Sequence, residues 1–197
     1  MNLVERAKNI ITTPKTEWAA VASEEPDIQQ IMISYVLPLA LIPSIASIIG
    51  WGVLGSALLK SFSWGIAMGI VQLISAFVTV YITALVVNLL APSFNSEKNM
   101  GRAIQLVAYS YTPAWVGGIL NIIPFLSWLG MLFGLYGLYL MYLGLPHTMK
   151  TPQDKNIVYL IVSIIVLIIV YMIIAAILTS IILAIFGFSY MSMKGLG

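Results

Sequence analysis

The chain contains no cysteine. Disulfides, thiolate metal sites and cysteine nucleophiles are thereby excluded. Charge is the next scarcity: only 8% of the 197 residues are Asp, Glu, Lys or Arg, against about 25% in soluble domains. A surface facing water everywhere cannot be built from so few charges. From Ala103 to Met149 there is no charged side chain, and the single histidine, His147, falls in that stretch. Ile28–Leu59, Ser61–Ser96 and Asn156–Met193 are likewise free of charge. Proton pumps, ion-coupled transporters and voltage sensors usually keep an ionisable group at membrane depth, so these windows lower the expectation of all three. A net charge of +2 is too small to imply nucleic acid. No phosphate loop, nucleophile motif or metal-ligand cluster occurs, and no cofactor is expected. His147 and Asp154, in one short loop with Lys150 and Lys155, are the acid–base candidates. One histidine and one carboxylate there read as a solvated loop, so the chain is not expected to be an enzyme. No secretory signal is evident ahead of the first apolar run, so the N-terminus is expected to stay on the mature protein.

What the chain has in abundance is apolar side chain, 60% of residues, with a mean hydropathy of +1.01. A bilayer core takes about 20 apolar residues per helix. The windows predict an all-α polytopic membrane bundle of five spans: Met32–Gly50, Trp64–Leu90, Ala103–Ile123, Phe125–Leu145 and Ile157–Phe186. The first span has room to continue toward Leu59. Pro124 supplies the turn between the third and fourth spans, because the residue before proline disfavours helix. Ala91-Pro92 and Leu145-Pro146 end the second and fourth in the same way. Lys and Arg in short flanks set orientation. Arg6, Lys8, Lys15, Lys98, Arg102, Lys150 and Lys155 fall on one side of a five-span chain, and Lys60 and Lys194 on the other. That bias places the N-terminus in the cytoplasm and the C-terminus outside.

Residues 1–30 read as a cytoplasmic interfacial segment, 31–190 as the transmembrane domain and 191–197 as a short outer tail. Leu3, Val4, Ala7, Ile10 and Ile11 share one helical face, with Glu5, Arg6, Lys8 and Asn9 off it, which predicts an amphipathic helix lying in the headgroup region. Thr13-Pro14 reads as the start of a second helix. Trp18 is expected in the interfacial aromatic belt. Glu24, Glu25 and Asp27 close the segment, either held off the surface or against Lys150 and Lys155.

Inside the spans the polar residues fall in register. Gln72, Ser75, Thr79 and Thr83 follow Gly65 and Gly69 on the second. Tyr109 and Ser110, then Ala114, Gly117, Gly118 and Asn121, mark the third. Gly130, Gly134, Gly137 and Gly144 alternate with Tyr136, Tyr139 and Tyr142 on the fourth. Two readings stand. Small residues let helices approach closely in lipid. Alternatively, Gln72, Ser75, Thr79, Tyr109, Ser110, Asn121, Tyr136 and Tyr139 line a polar groove between the second, third and fourth spans. Pro38, Pro43 and Pro113 lie within spans and are expected to kink them. Hydroxyls near Pro113 can take up its freed carbonyls.

Ala108-Tyr-Ser-Tyr-Thr-Pro-Ala-Trp115 and Tyr136-Gly-Leu-Tyr-Leu-Met-Tyr-Leu-Gly-Leu-Pro146, continuing His-Thr-Met-Lys-Thr-Pro152, resemble the Yip1 domain family, particularly its bacterial members. The resemblance runs from about Asn2 to Phe186. It implies five spans, a cytoplasmic N-terminus and a short outward C-terminus. Eukaryotic members bind Rab GTPases and serve vesicle traffic. This chain lacks their long N-terminal domain and Asp-Leu-Tyr-Gly-Pro motif, so Rab binding is not carried over. The expectation is a non-enzymatic protein of the bacterial inner membrane that organises membrane or binds lipid. Its expected partners are membrane lipids, other membrane proteins or a second copy, and not nucleic acid. The alternative is a transporter or channel for a small neutral or lipidic solute.

Overall fold

Local chemistry sets where the helices begin. Asn2 caps α1 (Leu3–Thr12), its side chain accepting the Val4 N–H at 3.1 Å. Pro14 opens α2 (Pro14–Ala22), where its missing N–H costs nothing. Asp27 caps α3 (Ile28–Gly52) by accepting from the Gln30 N–H at 2.9 Å. After α4 (Phe62–Leu90), Asn95 turns the chain in a left-handed conformation with φ of 55°. Asn99 then caps α5 (Met100–Ser110), accepting the Arg102 N–H at 3.1 Å. The rest is α6 (Thr112–Gly117), α7 (Gly130–Thr148) and α8 (Gln153–Lys194), with 3-10 turns over Gly118–Ile122 and Pro124–Leu129. The computed structural model describes residues 2–53 and 62–194, and side chains as far as residue 176, apart from Pro124 and Ala175. Lys60, the stretch toward Leu59, the side chain of Lys194 and the tail beyond it lie outside this description. No strand occurs among the described residues.

Among the described residues, 4 helices are long and apolar enough to cross a bilayer: Ile28–Gly52, Phe62–Phe94, Phe125–Thr148 and Gln153–Ile174. The expected third span, Ala103–Ile123, is not one helix. It breaks at Tyr111, resumes as α6 and finishes in the 3-10 turn. Pro113 is the cause. It cannot donate to the Tyr109 carbonyl four residues back, and its ring crowds that oxygen. The Thr112 hydroxyl supplies the missing bond, donating to Tyr109 O at 2.7 Å. The broken segment nevertheless runs the length of α3. Gly101 packs against Pro26 at one end, and Asn121 against Gly50 and Ser47 at the other. Every residue from Ala103 to Ser110 is buried, with α4 and α7 packed against this part of the interrupted helix.

The chain divides into two compact units, Met1–Leu160 and Ile161–Gly197. In the first, α3 and α4 form a tight hairpin in which Gly65 and Gly69 bring the backbones together. A Cβ on Gly65 would come within 2.7 Å of the Gly52 backbone. α5 packs between α4 and α7, and α2 packs on α7. The second unit continues α8 as apolar helix, rich in Ile, Val and Leu.

Pro38 has a different consequence from Pro113. The turn before it, Met32–Val36, widens to a π-helix, and the Leu37 N–H reaches back to Met32 O. Widening relieves the contact between the proline ring and the preceding turn. It also turns Tyr35 and Val36, adjacent in sequence, both into the core, with relative exposures of 6% and 0%.

Candidate functional site

The amphipathic face of α1 meets protein. Ile10 and Trp18 are fully buried, and Val4, expected on the same apolar face, is exposed. The buried face of α1 is Arg6, Ala7 and Ile10, and that of α2 is Glu17, Trp18 and Val21. Three of the expected lipid or headgroup contacts are therefore corrected: Ile10, Trp18 and Arg6 point into the bundle. Trp18 lies against Gly144 and 6.3 Å from the Tyr109 ring.

Arg6 is the hinge of this arrangement. Its side chain is 4% exposed, and one guanidinium nitrogen bonds Glu17 at 2.7 Å while the other bonds Glu24. The same guanidinium lies over the Tyr109 ring, 5.2 Å from its centroid. A planar fork with several donors holds two carboxylates at once from separate nitrogens in a fixed geometry, which the single ammonium of a lysine does not reproduce. Glu24 thus pairs with Arg6, not with Lys150 and Lys155. Arg102 completes the clamp, donating to the carbonyls of Glu24 at 2.7 Å and Val21 at 3.3 Å and to Gln105 Oε1 at 3.1 Å.

Below the ions the aromatic residues continue the network. Tyr35 packs edge-on to Tyr109 at 4.7 Å between centroids. Because the Thr112 hydroxyl already donates to Tyr109 O, Tyr35 OH donates to Thr112 Oγ1, at 2.7 Å. The broken helix and the π turn are thereby joined by one hydrogen-bonded chain. A cleft of about 110 Å³ opens beside it, lined by Arg6, Glu24, Gln30, Ser34, Tyr35 and Tyr109 among others.

A second cluster joins the loops after α4 and α7. The Glu97 N–H donates to Met149 O at 2.7 Å, Ser96 Oγ bonds Thr151 Oγ1 at 2.9 Å, and Lys150 pairs with Glu97 at 2.6 Å. Lys150 adopts φ of 51° to reach this position. Its ammonium, by hydrogen bond and charge, holds the Glu97 carboxyl below its ordinary value. That charge pair is therefore complete above the ordinary carboxylate range and is lost as pH falls through the lowered value. Tyr159 donates to Val87 O and stacks on Phe94, and Asn156 donates to Tyr142 O, fastening the start of α8 to the same end.

The other sequence candidates distribute as follows. On α4, Gln72 and Ser75 are exposed and Thr79 is half-buried. That helix packs on α3 and α5, whereas α7, which carries Tyr136 and Tyr139, packs on α2, α5 and α6. The two sets thus have different packing partners apart from α5. Ser110 is buried, its carbonyl beside Gly137, and the half-buried Asn121 donates to Ser47 Oγ at 3.4 Å. Tyr136 donates to Ile11 O at 2.7 Å, and Tyr139 is exposed. His147 and Asp154 are exposed, and Lys155 is half-buried.

Sequence reasoning missed Glu17, Tyr35 and the pairing of Arg6. The signal was present: Arg6 stands one turn before Ile10, and Glu17 one turn before Val21, each on the face that becomes buried. No group of residues that could hold a metal ion occurs among the described residues.

A family model described as the Yip1 domain matches residues 8–177. No curated protein and no solved structure matches. The match covers most of the chain, its interrupted helix and both loop clusters, and the chain belongs to the Yip1 domain family.

Proposed function

We propose that this Yip1 family protein is a non-enzymatic integral membrane protein that organises membrane by binding lipid and partner membrane proteins. One observation carries the reading. The polar groups of the candidate site bind one another, with Arg6 on Glu17 and Glu24, Tyr35 on Thr112, and Ser96 on Thr151. Groups committed in this way hold a surface rigid. Native mass spectrometry of gently extracted protein tests this. Retained lipid or a second membrane-protein subunit is expected. A bare monomer that passes a neutral solute across proteoliposomes would overturn the reading in favour of a transporter.

The proposed topology has five crossings in a bacterial inner membrane, N-terminus inside and C-terminus outside, with Met100–Ile122 as a broken crossing. The clustering of Lys98, Arg102 and Lys150 at the joined-loop end supports it, by the rule that cytoplasmic flanks are basic. Cysteines placed at Lys98 and Lys150 should stay shielded from an impermeant external label, and one near Lys194 should react. Labelling at Lys98 from outside would reverse the orientation.

A further inference from the structure

Two adjacent helices are weakened where they touch. The interrupted helix stops at Tyr111 and restarts as α6, and α3 is wound as a π-turn over Met32–Val36. Pro113 and Pro38 lie just past these turns, and each removes a backbone donor. Prolines and π-turns are the usual places where a helix bends, and π-turns gather at functional sites. One side chain joins the two weak points. Tyr35, from the π-turn, sets its ring 4.7 Å from that of Tyr109, before the break. Its hydroxyl reaches Thr112 Oγ1, after the break, at 2.7 Å.

α1 crosses the same break on its other side. It packs against both α5 and α6. On the α5 side, the Arg6 guanidinium stands 5.2 Å from the centre of the Tyr109 ring. On the α6 side, Ile11 shares the wall of one cleft with Pro113 and Val116. A helix seated on both pieces of a broken one acts as a splint.

The way α1 is held suits release. The ionic partners of Arg6 are Glu17 and Glu24, both in the same N-terminal segment. These charges lift together, so no ion pair of the cluster breaks when the segment leaves. Tyr136 and Arg102 tie the segment to the bundle, donating to the carbonyls of Ile11, Val21 and Glu24.

We infer that α1 is a releasable splint for a joint at Tyr111. Docked, it fixes the angle between α5 and α6. Lifted, it frees that joint and the π-turn bonded to it. This device is separate from lipid binding and does not depend on it. Val4, Glu5 and Lys8 stay exposed on the docked helix, so the part that sets the joint is reachable from outside the bundle. Linkage makes the coupling reciprocal: a change that loosens the joint must also loosen α1.

Hydrogen exchange of the full-length protein in detergent, read by mass spectrometry over residues 3–12, 111–117 and 66–90, tests this. Two variants act from opposite ends. Tyr136→Phe removes the bond to Ile11 O and leaves the joint's own bonds in place. Tyr35→Phe removes the bond to Thr112 and keeps the ring on Tyr109. Each loses one hydrogen bond, roughly 1 kcal/mol, so exchange should quicken by about five-fold. In both variants that rise should appear at 3–12 and 111–117 together, with 66–90, in α4, unchanged. Trypsin gives a second readout: Tyr35→Phe should quicken cleavage at Lys8, 27 positions away in sequence. Exchange confined to 3–12 in Tyr136→Phe would overturn the inference and leave α1 a packed helix only. So would a rise confined to 111–117 in Tyr35→Phe with Lys8 cut at the parent rate. A uniform rise that includes 66–90 would overturn it as well, showing loss of the whole fold in place of movement at a joint.

Discussion

Replacing Arg6 with alanine should destabilise the protein by about 3–5 kcal/mol, because it removes one partner of a buried ion pair and leaves the other charged. Glu17 is the reason for the size. Its side chain is 7% exposed and its bond to Arg6 is 2.7 Å, so water cannot take over when the guanidinium goes. Glu24 gains little from the same fork, being 41% exposed, and Glu24→Ala should cost far less. Arg6→Lys should recover only part of the loss, since an ammonium lacks the planar fork that matches two carboxylates. Lys8, exposed on the same helix, provides the control: Lys8→Ala should be near neutral. Thermal unfolding in detergent ranks the four variants. Trypsin adds a local readout. Lys8 and Lys15 should be cut slowly in the parent protein and quickly in Arg6→Ala, where α1 and α2 come away from the bundle. Equal melting of Arg6→Ala and Lys8→Ala would show that the buried pair does not hold the segment.

The contrast between Arg6 and Lys8 also shows how much of the molecule was legible beforehand. Hydropathy placed the long helices well: Met32–Gly50 and Trp64–Leu90 lie within the observed Ile28–Gly52 and Phe62–Phe94. Those windows work because lipid demands a continuous apolar run with its backbone bonds satisfied internally. Pro113 was marked as a kink, but hydropathy does not register a helix that stops and restarts, and Tyr35 at 77 positions' separation had to supply the hydroxyl that steadies it. The N-terminal segment failed for another reason. Periodicity finds an apolar face without saying what it meets, and lipid and a helix bundle look alike to Ile10. What distinguished them was Glu17 on the buried face of α2, a charge that would be costly against acyl chains and is acceptable only opposite Arg6. The glycines of α7 carry the same lesson. Their spacing marks a stripe, yet a Cβ on Gly130 or Gly134 would meet nothing within 4 Å, whereas one on Gly137 would come within 2.7 Å of Ser110 O.

Gly144→Leu should therefore destabilise the protein where Gly134→Leu does not, although the two glycines belong to one stripe in the sequence. A Cβ at 144 would fall 2.5 Å from Leu106 Cδ1 and 2.8 Å from the six-membered ring of Trp18. Leu106 can yield by changing rotamer only into a core where its own exposure is 0%. Trp18 is a rigid plane, also fully buried, and its way out is to leave with α2. Overpacking of this kind costs about 1–3 kcal/mol, more where the backbone must follow. Gly134→Leu replaces a poor helix former in open space and should be neutral or stabilising by up to about 1 kcal/mol. Thermal unfolding in detergent compares the two directly, and equal melting would remove the close approach of α2 and α7 as an element of stability. The sharper measurement is the double variant. Arg6→Ala and Gly144→Leu act on the same docked segment from its two sides, so their effects should fall short of additive by about 0.5–3 kcal/mol, the range for residues that share a structural unit. Once either change has released α1 and α2, little remains for the other to break. Full additivity would mean that the ionic clamp and the Trp18 contact hold independent parts of the chain, and that Arg6 secures something other than the seat of Trp18 on Gly144.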